Sequence, residues 1–275
     1  MNSTICFIGA GNMSRSLIGG LIASGYPTEK LRATDPNIDT CHDIRQTFAI
    51  RCEPDNSAVL NNSDIIVLAV KPQQLQAVCE ELAHKLPTTK PLIISVAAGV
   101  RTTDIQRWLG EDCAVVRTMP NTPALIQAGA TGLFATSQVS TAQRNDAENI
   151  LRAAGLTLWV KEESLLDAVT ALSGSGPAYY FLFMEAMETA AQKLGLDAKT
   201  AHLLTLQTAF GAAKMALESP DDCATLRRKV TSPNGTTERA IQSFEADQLA
   251  TSVERAMQAA FDRSQQLAKQ LGGQA

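Results

Sequence analysis

The chain has 275 residues, of which 45% are hydrophobic, 19% charged and 5% aromatic. That length suggests two domains at roughly 100–200 residues each, and the apolar content excludes a disordered chain. With 24 Lys and Arg against 28 Asp and Glu, a net charge of -4 and no basic run, no nucleic-acid partner is expected. No apolar stretch approaches the roughly 18 residues that a membrane span requires. The start, Met1-Asn2-Ser3-Thr4, lacks a basic leader region, so a soluble cytoplasmic protein is expected.

The first apolar run, residues 5–8, reads as a strand and is followed by a helical pattern over residues 14–24. Between them stands Gly9-Ala10-Gly11-Asn12-Met13-Ser14. In this strand-to-helix position Gly9 permits a tight turn and Gly11 lets the backbone approach a pyrophosphate. The first helical amides, at Asn12 and Met13, then point at the phosphates. Ser14 stands where the third glycine of the dinucleotide-binding pattern is usual, so the helix is expected slightly further from the strand.

A second strand is predicted at residues 31–34, and Asp35 follows it, roughly 20 residues beyond the glycine loop. Two readings of Asp35 stand: a reader of the adenosine ribose, which would favour NADH over NADPH, or a helix cap within the Asp-Pro-Asn turn. Arg32 and Arg51 are both within reach of a phosphate, so nucleotide choice stays open. The run at residues 65–70 ends on Ala69-Val70-Lys71-Pro72 at the carboxyl edge of the sheet, where ligands of such sheets bind. Lys71 reads equally as a cation for phosphate or nicotinamide and as a helix-start residue before Pro72.

A helix is predicted over residues 73–86, a strand over 92–96, a helix over 103–108 and a strand over 114–116. Ser95-Val96-Ala97-Ala98-Gly99 offers small residues against which a flat ring can pack. Arg117-Thr118-Met119-Pro120-Asn121-Thr122-Pro123 makes a stiff loop whose Asn121 amide suits a nicotinamide carboxamide or a structural turn. Residues 156–160 read as the last strand. The alternation predicts an α/β domain over residues 1–161, a parallel Rossmann sheet covered by helices on both faces.

After Lys161 the strand signals stop. Helices are predicted at residues 164–172, 178–194, 198–217, 221–230, 236–244 and 246–271, with Asp197 as an N-cap. In the last, Val253, Met257, Ala260, Ser264, Leu267 and Leu271 form one stripe. Residues 181–191 and much of 203–217 are apolar on more than one face. A second subunit is the expected partner, so this all-α domain, residues 162–275, is read as the site of association. The six cysteines are widely spaced without a C-x-x-C pair, and His42, His84 and His202 are scattered. Free thiols and no metal site are expected.

Two further segments lead small hydroxyl and glycine residues into helices: Ser-Gly-Ser-Gly-Pro-Ala-Tyr at 173–179 and Val-Thr-Ser-Pro-Asn-Gly-Thr-Thr at 230–237. Each reads as a capped turn when taken alone. Together, in a dinucleotide-binding chain, they point to a site for a small carboxylate.

With these the chain resembles the pyrroline-5-carboxylate reductases of proline biosynthesis. The matching segments are FIGAGNM at 7–13, AVKP at 69–72, SVAAG at 95–99, VRTMPNTP at 116–123, SGSGPAY at 173–179 and VTSPNGTT at 230–237. They occur in family order along nearly the whole chain. The resemblance implies reduction of (S)-1-pyrroline-5-carboxylate to L-proline by NADPH or NADH. It also implies a helical C-terminal dimerisation domain, often within a larger ring of dimers. It implies that Ser232, Gly235, Thr236 and Thr237 bind the substrate carboxylate, that Ala97 and Asn121 lie near the nicotinamide, and that Asn56 lies near the adenosine end. Family members often carry a small hydroxyl residue at the position of Asp35 and usually work best with NADPH, so Asp35 leaves the coenzyme preference open. Ser232 and Thr237 are the catalytic candidates, with Thr237 expected to hydrogen-bond the ring nitrogen and help protonate it.

The nearest rival is a β-hydroxyacid dehydrogenase, expected to use a Lys on the first helices of its second domain. No Lys, Arg or His lies between Lys161 and Lys193. A non-catalytic dinucleotide-binding protein is the rival from another class, and it would have no use for a complete second motif.

Overall fold

A computed structural model of the chain describes residues 3–60, 62–86 and 90–273. Met1 and Asn2, part of the start read above, lie outside the described residues. The chain divides into two compact units, Met1–Ser175 with Ala260–Ala275, and Gly176–Ala259.

The first unit is built on one sheet. Its strands are β1 (Ile5–Ile8), β2 (Leu31–Thr34), β3 (Arg51–Glu53), β4 (Ile65–Leu68), β5 (Leu92–Ser95), β6 (Val115–Met119), β7 (Gly129–Ala135) and β8 (Gly155–Trp159). They lie in the order β3-β2-β1-β4-β5-β6-β7-β8. From β3 to β6 every neighbouring pair is parallel. This is the dinucleotide-binding order, and it reverses direction between β1 and β4.

Alternating side chains of β1 go to opposite faces. Ile5 and Phe7 join one buried cluster, Cys6 and Ile8 the other. Each fully buried aliphatic or aromatic residue contributes about 1.5–3 kcal/mol. The helices α1 (Asn12–Ala23), α2 (Ile38–Phe48) and α6 (Thr141–Arg152) supply the first cluster. The short α3 (Ser57–Leu60), α4 (Pro72–Ala83) and α5 (Thr102–Leu109) supply the second.

The sheet is not wholly parallel. β7 runs antiparallel to β6, pairing Val116 with Ala135 and Met119 with Gly132. The strand predicted at 114–116 therefore continues to Met119, and its polar residues are buried with partners: Thr118 Oγ1 donates to Ser95 O at 3.0 Å.

The helix predicted over 164–172 is α7 (Leu165–Val169) followed by a π-helical turn, Thr170–Gly174, which closes with Ser175 N donating to Thr170 O. Leu166 and Asp167 are buried within the first unit. A Cβ on Gly132 would lie 2.9 Å from Val169. That packing is why the compact division falls at Ser175 rather than at Lys161. The buried Asp167 Oδ1 accepts from Ser264 Oγ at 2.6 Å, which ties the end of the last helix to this unit.

The second unit holds α8 (Gly176–Lys193), α9 (Ala198–Glu218), α10 (Cys223–Lys229), α11 (Thr236–Ala246) and the start of α12 (Leu249–Leu271). Asp197 caps α9 by accepting from Thr200 N. Phe183 and Phe244 stack α8 against α11 at 6.1 Å between ring centroids, and His202 Nδ1 meets Glu188 Oε1 at 2.9 Å. Large apolar side chains stay exposed along α8 and α9: Phe181, Leu182, Leu203, Leu204 and Phe210 are each more than half exposed. In the α12 stripe Ser264 is buried and Leu267 and Leu271 half-buried, whereas Val253 is exposed. Among the described residues, no helix is long and apolar enough to cross a membrane.

Candidate active site

Gly9 leaves β1 with φ +94°, in the left-handed region that glycine adopts without strain. A Cβ there would lie 2.8 Å from Ala69 O and 3.1 Å from Val70 Cγ1. The glycine loop and the end of β4 therefore touch at the point where strand order reverses. Gly11 is the N-cap of α1, without a side-chain cap and without an acidic residue in the first turn. A Cβ on Gly11 would meet nothing within 4 Å. The first amides of α1, at Asn12 and Met13, thus face open space with no intrahelical acceptor, which fits a pyrophosphate. Ser14 is buried and its hydroxyl donates to Gly9 O, so the residue in place of the third glycine braces the loop.

A cavity of about 650 Å³ opens beside this loop, lined by Gly9, Thr34, Pro36, Asp55, Asn56, Val70 and Glu81 among others. Asn56 accepts from Thr34 Oγ1 at 2.7 Å and donates toward Glu81 at 3.4 Å. Asp35 Oδ2 accepts from Ala10 N at 3.1 Å, and Oδ1 from Asn37 N at 3.0 Å. The helix-cap alternative for Asp35 falls to its neighbour: Asn37 caps α2 by accepting from Asp39 N and Thr40 N. Ser57, through its backbone N–H and its side chain, holds the Asp55 carboxyl below the usual carboxylate range.

Lys71 is the N-cap of α4 with Pro72 at its first position, and the Lys71 side chain makes no cap bond and is exposed. Ala97 is buried at the end of β5. Asn121 follows β6 with its amide engaged on both ends: Nδ2 donates to Ser173 O at 3.0 Å, and Oδ1 accepts from Ala130 N at 2.9 Å. One Nδ2 proton is left for a ligand.

Ser232, Gly235, Thr236 and Thr237 belong to the second unit. Gly235 N donates to Ser232 O at 3.0 Å, closing a turn, and Gly235 is the N-cap of α11 with no side-chain cap. Ser232, Thr236 and Thr237 are exposed. Uncapped helical amides and three hydroxyls are donors of the kind a small carboxylate accepts from, and the Glu238 carboxylate already accepts from Asn234 N in this turn at 2.8 Å. The cofactor candidates all lie in the first unit and the carboxylate candidates in the second.

Three features escape the sequence reading. Glu163 pairs with Arg117 at 3.0 Å and also accepts from Thr102 N and Oγ1, both at 2.8 Å. Its partners lie 46 and 61 positions away, so no local signal marks it. The π turn, Thr170–Gly174, runs into the 173–179 motif and shares Ser173 and Gly174 with it; such turns are frequent at functional sites. The Tyr179 hydroxyl is buried with no hydrogen-bond partner among the described residues.

Comparison with known proteins meets this geometry. Residues 163–267 match the family model described as pyrroline-5-carboxylate reductase dimerisation, and residues 4–99 match NADP oxidoreductase coenzyme F420-dependent. The pyrroline-5-carboxylate reductase of Pseudomonas aeruginosa is 53% identical over 270 residues, covering 98% of both chains.

The chain belongs to the pyrroline-5-carboxylate reductase family.

A Methanosarcina acetivorans pyrroline-5-carboxylate reductase is 40% identical over 98% of this chain and 99% of its own. Among solved structures, the Coxiella burnetii pyrroline-5-carboxylate reductase superposes with TM-score 0.94 at 48% identity, covering 98% of this chain and 100% of that one. A Plasmodium falciparum pyrroline carboxylate reductase with NADP bound gives TM-score 0.85 at 28% identity, covering 97% and 98%. Prephenate dehydrogenase of Aquifex aeolicus, at 13% identity and TM-score 0.55, shares the fold alone.

Proposed function

We propose that this protein reduces (S)-1-pyrroline-5-carboxylate to L-proline with NADPH or NADH, as the last step of proline biosynthesis. The observation that carries the reading is full-length similarity, up to 53% identity, to reductases of this name. Both unusual helix-entry motifs are intact within that span.

Residues 1–161 act as the NAD(P)-binding Rossmann domain and residues 162–275 as the all-α substrate-binding and dimerisation domain. Gly9, Gly11, Asn12 and Met13 hold the pyrophosphate. Asp35 and Asn56 face the adenosine end. Ala69, Val70, Lys71, Pro72, Ala97 and Asn121 line the path to the nicotinamide. Ser232, Gly235, Thr236 and Thr237 bind the substrate carboxylate through amides and hydroxyls. When bound, the reduced coenzyme supplies the hydride that the C=N carbon receives.

Ser232 and Thr237 orient the substrate ring, and Thr237 donates a hydrogen bond to the ring nitrogen and helps protonate it. An imine whose pKa is near neutral arrives partly protonated, so orientation in a dry pocket suffices without a histidine. The exposed apolar faces of α8 and α9 are covered by a second copy of the chain. That homodimer sits within a larger homo-oligomer in the cytoplasm. A β-hydroxyacid dehydrogenase is disfavoured by the absence of any Lys, Arg or His between Lys161 and Lys193.

Incubation with pyrroline-5-carboxylate and reduced coenzyme, followed by chiral chromatography, is expected to yield L-proline in proportion to coenzyme oxidised. Absence of proline with both coenzymes contradicts the assignment.

A further inference from the structure

The carboxylate of Asp35 is held in place by two backbone donors, Ala10 N of the glycine loop at 3.1 Å and Asn37 N at 3.0 Å. Its neighbours on either side, Thr34 and Pro36, line the 650 Å³ cavity beside that loop. A carboxylate offers about four lone-pair sites. Two are taken here, and the remaining two can accept from vicinal ribose hydroxyls.

The charges around this cavity are acidic. Asp55 and Glu81 line it with Asn56, and no Lys or Arg is among its lining residues. Several nearby cations are engaged by acceptors of the protein. Arg51 Nε pairs with Glu53 at 3.2 Å, Lys85 with Glu81 at 2.8 Å, and Arg15 with Asp43. Arg32 Nη1 donates to Val59 O at 3.3 Å.

A ribose 2′-phosphate carries about −1.5 to −2 charge near neutrality and is ordinarily met by an Arg. Here it would meet the fixed Asp35 carboxylate, beside a cavity lined by no Lys or Arg. On the reading of this crevice as the coenzyme site, we infer that Asp35 makes the protein select NADH and reject the 2′-phosphate of NADPH. This sets it apart from family members that work best with NADPH.

The test measures both binding and turnover on the purified full-length chain. Dissociation constants for NADH and NADPH come from calorimetric or fluorescence titration, and kcat/KM for each coenzyme from assays with pyrroline-5-carboxylate. NADH is expected to bind at least about tenfold more tightly than NADPH, with kcat/KM in the same order. Raising the salt concentration is expected to narrow the gap, because screening relieves repulsion of the phosphate. Asp35→Ser is expected to narrow it further, chiefly by tightening NADPH binding.

Equal or tighter binding of NADPH by the unmodified protein overturns the inference, as does a gap insensitive to both salt and Asp35→Ser. Preferential NADH binding without oxidation of either coenzyme would leave the coenzyme inference standing and defeat the reductase reading. Preferential turnover with NADPH does the reverse. Failure to bind either coenzyme defeats both.

Discussion

Asn121 and Ser173, 52 positions apart, are joined by a 3.0 Å hydrogen bond from the Asn121 amide to the Ser173 carbonyl. The bond ties the end of β6 to the π turn, and Asn121 Oδ1 secures β7 through Ala130 N. Asn121→Ala leaves a half-buried N–H and C=O without their partner, at a cost of about 1–2 kcal/mol. Urea unfolding should show that loss, together with a fall in kcat. Asn121→Asp keeps the acceptor for Ala130 but sets a carboxylate oxygen against Ser173 O, so it should be no better. A wild-type midpoint for both variants contradicts the role.

Arg117 and Glu163 form the second tie. Their side chains are 4% and 18% exposed, and Glu163 also satisfies Thr102 at the start of α5. Glu163→Ala leaves an almost fully buried guanidinium without its countercharge, which costs about 3 kcal/mol. Replacing both residues by Met should recover most of that in chemical denaturation. A double variant as unstable as the single would show that the ion pair is not the source of the loss.

Much of this architecture is legible in the sequence, and the omissions have physical causes. β1 and β2 lie at the limits the sequence predicts: β1 is an uninterrupted apolar run, as buried parallel strands are, and β2, though it carries Arg32 and Thr34, ends on the Asp-Pro-Asn turn. β3 is three residues, two of them the charged Arg51 and Glu53, and β7 carries two glycines and a threonine, so neither shows an apolar run. α6 lies outside the helices that the apolar pattern predicts, although Ser140 and Gln143 form a reciprocal capping box. The last helix begins at Leu249 rather than at the expected 246 because Gln248 adopts φ 56°, a backbone choice that its side chain does not announce. In the site the glycine loop is a local spacing and is legible in the sequence. The Asn121–Ser173 and Arg117–Glu163 pairs depend on chain-distant partners and required the fold.

Burial determines thiol reactivity. Cys6 and Cys79 are pushed up to about 12 by desolvation, and Cys41, Cys52 and Cys113 are also buried, whereas Cys223 is exposed. Because the raised values favour the neutral thiol, Cys6 and Cys79 lack thiolate at about pH 8. A disulfide reagent should therefore modify at most one thiol per native chain, and all six after denaturation. Rapid native modification of two or more contradicts the assigned burial.

Thr237 is exposed, so its removal should spare the fold. Thr237→Ala is expected to lower kcat by about a hundredfold, in the range for losing a positioned proton donor. Coenzyme affinity and Tm should change little. Unaltered turnover removes Thr237 from the protonation step.

Reduction of a cyclic imine by a nicotinamide coenzyme is followed by the near-ultraviolet absorbance of the reduced coenzyme. On adding pyrroline-5-carboxylate to the purified chain, that absorbance should fall at a rate proportional to enzyme concentration. No decay with either NADH or NADPH, from protein shown by titration to bind its coenzyme, would contradict the account.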